Sequence, residues 1–265
     1  MRKKYILVAL AIFMSSDGYS QSFNKDEFLY RVKTIYHSLR SQGIENYSSW
    51  VTSSLFLERT QPIYKQEIYP LELIWSVPNL IYYIKRPVPV LEDTLQNKQT
   101  AEWQMDMLQA LKGIMIDWQR FFAGNVLDEM PETYLVTTRD DSAYISYELN
   151  GAGRPVKVKM HFGLNGICLK MKLTYPDNGE EIFTYPVYRL EGDKWLCTGW
   201  TVQSLKKGKV ESGFSVKLKY KKMEKCWALE RIGLQLQALN KKDIIFTREY
   251  IFKNIVLNRD LKIVR

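Results

Sequence analysis

The chain is predicted to be mainly β, of the α+β class. The expected architecture is a strongly curved antiparallel meander sheet or incomplete barrel of about 11–12 strands, with two helices covering its apolar face. Three observations carry this. Beyond Pro131, turn residues recur regularly between runs that alternate apolar and polar side chains. Only two segments show helical periodicity. An apolar content of 46% is enough for a core without covalent staples.

In chain order, Met1–Lys4 carries positive charge, Tyr5–Met14 is an unbroken apolar run, and small residues follow at Gly18 and Ser20. This layout reads as a signal peptide over 1–20, cleaved before Gln21, with an apolar run too short to span a bilayer. The mature chain, 21–265, is then one β-rich domain in the periplasm or outside the cell. Losing Arg2, Lys3, Lys4 and Asp17 lowers the formal charge from +9 by two. Export argues against nucleic acid as the partner of this basic chain and favours an anionic membrane surface.

Residues 25–41 predict an amphipathic helix with Phe28, Leu29, Val32, Ile35, Tyr36 and Leu39 on one face, Asn24 as N-cap and Gly43 as terminator. From Tyr47 to Lys85 the period becomes two, predicting three strands: one through Leu55 and Leu57, one around Leu71–Val77, and Leu80–Lys85. Pro87 and Pro89 fix an extended connection. Residues 101–123 predict the second helix, whose apolar face includes Met107, Leu111, Met115, Trp118 and Phe122. After Pro131, turns at Asp140-Asp141, 150–153, Asn165-Gly166, 176–179, 191–193, 206–209, 223–225 and 240–243 divide about nine strands joined as hairpins.

Alternation assigns a face to each strand residue. Val158, Met160, Leu169, Met171, Leu173, Phe214, Val216, Leu218 and Tyr220 share the inner face with Met115, Trp118 and Phe122 from the helix. Their methionine and aromatic content suits either a cavity for flexible chains or an ordinary filled core. Lys157, Lys159, Lys170, Lys172, Lys217 and Lys219 fall on the other side, as a basic outer face.

Catalytic motifs are missing. His37 falls on the first helix and His161 on the lysine face, neither at metal-ligand spacing from a second donor. No H-E-x-x-H or G-x-S-x-G occurs, and the carboxylate pairs Asp140-Asp141 and Glu180-Glu181 sit at turns. Cys168, Cys197 and Cys226 form no C-x-x-C, and an odd count allows at most one bridge. No cofactor or metal is implied, and the reading is a binding protein rather than an enzyme.

The order of elements resembles the periplasmic lipoprotein carriers of the LolA type and their lipid-binding relatives. The resemblance rests on an opening helix leading into strands (FLYRVKTIYHSLRSQGIENYSSWVTSSLF), a tryptophan strand with prolines (LELIWSVPNLIYYIKRP), a helical insertion, and a closing meander (YKKMEKCWALERIGLQLQ, then IIFTREYIFKNIVLN). It implies an incomplete barrel whose helices cap an apolar cavity, and a carrier of acyl chains, whether a lipid or a lipid-modified protein. The long helix departs from that pattern, and no residue role is carried over. The alternative is a non-enzymatic interaction or structural module of the cell envelope whose core is full.

Overall fold

The structure, a computed structural model, describes residues 23–151, 153–223, 226–237 and 244–258. The expected leader over 1–20 and the turn at 240–243 lie outside them.

Helix α1 (Lys25–Thr34) starts as its sequence dictates: the Asn24 side chain accepts the Asp26 and Glu27 amides at 3.1 and 3.2 Å. It stops well short of residue 41. The Trp195 amide donates to the Ile35 carbonyl and the His37 amide to the Trp195 carbonyl, both at 2.8 Å, so the sheet captures this backbone before another helical turn can form. His37 is therefore off the helix, with Nε2 2.8 Å from the Glu191 carbonyl. Gly43, at φ 74°, ends the short 3₁₀ turn that follows.

Strand β1 (Asn46–Ser53) also ends early. The Ser53 hydroxyl accepts the Phe56 amide at 3.2 Å and caps a helix absent from the expected pair, α2 (Ser54–Tyr64). Leu55 and Leu57 thus belong to a helix, and three helices cover the sheet rather than two. Strands β2 (Leu71–Ser76) and β3 (Leu80–Lys85) form a hairpin. Helix α3 (Thr94–Trp118), capped by Asp93, runs into a π turn (Gln119–Ala123).

Nine strands follow: β4 (Leu135–Arg139), β5 (Ser142–Gly151), β6 (Arg154–Gly163), β7 (Cys168–Tyr175), β8 (Glu180–Glu191), β9 (Lys194–Lys206), β10 (Lys209–Met223), β11 (Cys226–Gln237) and β12 (Ile244–Leu257). All twelve strands make one open antiparallel sheet, ordered β3-β2-β1-β12-β11-β10-β9-β8-β7-β6-β5-β4. The first and last strands pair in its interior, with Val51 opposite Phe252. Consequently β3 and β4, consecutive in sequence, occupy opposite edges. Their connection has to cross the sheet's apolar face, and the 25 residues of α3, about 38 Å of helix, make that crossing.

The helices seal the face unevenly. Trp118 and Phe122 are fully buried, their rings 5.9 Å from Tyr47 and 4.5 Å from Tyr220. Phe121 meets Trp200 at 6.2 Å. Helix α1 and the segment after it cover one end of the middle strands, through Phe28 on Phe162 at 5.8 Å and Tyr36 beside Tyr188 at 5.1 Å. The other end of these strands is not sealed. Among the described residues, no helix is long and apolar enough to cross a membrane.

Candidate functional site: an apolar cavity beneath helix α3

The unsealed end is a cavity of about 660 Å³. Its walls come from the parts of the strands nearest the turns at 150–153, 176–179 and 206–209: Leu149, Val156, Val158, Leu173, Ile182 and Phe214, among others. Its roof is one side of α3, including Ala110, Gly113, Ile114 and Ile116. Ile116, 53% exposed, and Leu236, 37% exposed, open it to solvent. The volume falls within the ~300–1,000 Å³ usual for small-molecule sites.

This geometry divides the inner face along the strands. On β6, Val158 lines the cavity while Met160 is packed beneath α1's end of the sheet. On β7, Met171 and Leu173 line it. On β10, Phe214 lines it, whereas Val216 and Leu218 are buried in the core and Tyr220 packs on Phe122, donating to the Cys197 carbonyl at 2.7 Å. Met115, Trp118 and Phe122 are likewise buried core and do not line the cavity. The face is a filled core at one end and a cavity at the other.

Leu169 belongs to neither and is 46% exposed. The β6–β7 register slips between His161 opposite Lys170 and Phe162 opposite Cys168, so the bulge reverses the alternation. Cys168 turns inward instead, its amide donating to the Tyr36 hydroxyl at 2.7 Å, which in turn donates to the Gly166 carbonyl at 2.8 Å.

Three charged residues on the cavity wall, Asp117, Arg120 and Glu129, escaped the sequence reading. Arg120, whose side chain is 9% exposed, binds Asp117 at 2.5 Å and Glu129 at 2.7 Å. Asp117 and Arg120 lie three apart on α3 and its π turn, so they share a side, next to the stripe that fills the core. Burial raises the Asp117 carboxyl above its ordinary range, against the opposing pull of Arg120. The neighbouring carboxylates raise the Arg120 guanidinium despite its burial. A pair of opposite charges inside an apolar helix was the available signal.

The expected basic outer face is a mosaic. Lys157 pairs with Glu148 at 3.4 Å, Lys172 with Glu181 at 2.5 Å and Lys219 with Glu230 at 3.2 Å. Lys159 lies over the Tyr144 ring at 4.8 Å and Lys170 over Phe183 at 4.2 Å, while Lys217 stands exposed on β10. Cross-strand pairing thus neutralises half of the six, which weakens the field an anionic surface would meet.

His161 stacks on Tyr144 at 4.7 Å and bonds the Ser142 hydroxyl at 2.9 Å. Burial and the nearby Lys170 and Lys159 lower its pKa. None of the three cysteines forms a disulfide, and all are buried. Burial pushes the Cys168 and Cys197 thiols up to about 12, leaving them protonated and unreactive at neutral pH. Among the described residues, no three His, Cys, Asp or Glu side chains are grouped to hold a metal ion. No protein family, curated protein or solved structure matches the chain.

Proposed function

We propose that the protein is an exported carrier that holds an aliphatic chain, from a lipid or a lipid-modified protein, in the cavity beneath α3. One observation supports this above the others: an open space of about 660 Å³ walled mostly by aliphatic and aromatic side chains, at one end of a sheet whose other end is packed core. Water in such a space finds few partners. At about 0.8 kcal/mol per buried methylene, a chain placing about ten methylenes inside gains about 8 kcal/mol before the cost of immobilisation. A cell-envelope module with a full core accounts for the α1 end of the sheet but not for the cavity.

Gly113 makes the reading testable. It lines the cavity, and a Cβ built on it meets nothing within 4 Å. Gly113→Trp and Met171→Trp should each place a ring in the cavity, keep stability within about 1 kcal/mol of the parent, and lower Nile red uptake at least about tenfold. Leu218→Trp, in the packed part, should instead cost about 1–3 kcal/mol and leave uptake intact in the folded fraction. Urea midpoints paired with probe titrations separate the two. Equal destabilisation by all three, with no probe bound by the parent, would favour the packed module. Export has its own check: N-terminal sequencing of secreted protein should begin at Gln21, and an intact Met1 would exclude the leader.

A further inference from the structure

An apolar wall explains a chain but not its end group, and the charged cluster on that wall discriminates among end groups. Arginine keeps its proton at any physiological pH, so the nearly buried Arg120 needs anions against it permanently. Its two partners differ in how firmly they are held. Asp117 sits three residues before it on the same helix, with a side chain 14% exposed. Glu129 reaches in from the loop after the π turn and is 43% exposed. That loop is pinned by its neighbour Asp128, which bonds the Asn125 amide at 2.8 Å and Arg40 at 3.0 Å. Glu129 can therefore leave Arg120 by rotating its side chain alone, without moving backbone.

Resting on the carrier reading, we infer that Glu129 holds the place of a ligand carboxylate: the cavity takes an aliphatic chain ending in a carboxylate, which displaces Glu129 from Arg120. The exchange trades one carboxylate for another, so the charge beside Arg120 and Asp117 is unchanged. The planar guanidinium matches a carboxylate's two oxygens, and Glu129 gains full hydration. An ammonium end would lie against the guanidinium. A hydroxyl end cannot replace the lost anion and so binds by its chain alone. A phosphate monoester would bring a second negative charge towards Asp117.

The test is competition by dodecanoate, dodecan-1-ol and dodecylamine against the uncharged probe Nile red, at about pH 8, where the acid is ionised and the amine protonated. The parent should bind dodecanoate more tightly than the other two. Glu129→Gln, at an exposed position that puts folding at little risk, removes the internal competitor; it should raise dodecanoate affinity about tenfold and leave dodecanol unchanged. Arg120→Gln should abolish the advantage of dodecanoate over dodecanol. Weaker or unchanged dodecanoate binding in Glu129→Gln, or dodecylamine binding best, overturns the carboxylate assignment while dodecanol competition keeps the carrier reading. Failure of all three to displace the probe from the parent overturns both.

Discussion

Gly199→Ala is expected to destabilise the protein by about 2–6 kcal/mol, combining backbone strain with a clash that cannot relax. Gly199 lies on β9 at φ 151°, where an added Cβ would come 2.1 Å from the Val216 carbonyl oxygen on β10. The obstacle is main chain in the middle of the sheet, so no side-chain rotation relieves it. The β8–β9 register slips beside this residue, between Val187 opposite Gly199 and Tyr188 opposite Cys197. A bulge bends its strand and increases local twist. Here it lies just before Trp200, buried beneath Phe121, and Val202, which lines the cavity. The close strand approach at Gly199 therefore helps set the curl that separates packed face from cavity. Thr198→Ala, one residue away and half-buried, serves as control and should cost under about 1 kcal/mol. Urea denaturation reads both, and a Gly199→Ala loss no greater than the control's would mean that the strands slide apart freely.

Arg120→Met is the other large effect, at about 3–5 kcal/mol near pH 7, because it leaves Asp117 as a buried charge without its partner. Adding Asp117→Leu should recover most of that loss, since an apolar pair of similar size carries no desolvation cost. Glu129, the remaining carboxylate, is exposed enough to turn to solvent. The pH dependence has a definite sign. Burial already raises the Asp117 carboxyl, and losing Arg120 removes the opposing influence, so its folded pKa rises further above the unfolded value. A carboxyl raised on folding favours the fold below its unfolded pKa of about 3.9 and loses that contribution as pH climbs through the folded pKa. The deficit of Arg120→Met relative to the parent should therefore shrink from pH 7 towards pH 4. A deficit independent of pH, or a double variant no more stable than the single one, would show that Arg120 acts through packing of its stem rather than through charge.

Where side chains alternate strictly between turn residues, local pattern was sufficient. The nine strands from β4 to β12 sit between the expected turns wherever those turns are described, because a period of two admits only one way to bury a face. The α1 start at Asn24 was equally local, since a side-chain oxygen two or three residues from free amides needs no other partner. Errors fell where distant chain competes for the same backbone. Trp195 captures the residues that would have continued α1, and the bulge at Leu169 reverses a parity that alternation alone must carry forward. Helix α2 escaped notice because Leu55 and Leu57 continue the spacing of β1, and only the Ser53 hydroxyl on the Phe56 amide marks the change. Whether the inner face was core or cavity lay beyond any local signal. Val158 and Met160 are two residues apart on one strand and equally apolar, yet one faces open space and the other is packed. The difference is where α1 and the π turn of α3 lie over the sheet. That follows from β1 pairing with β12, which sends β3 and β4 to opposite edges and draws α3 across the face between them.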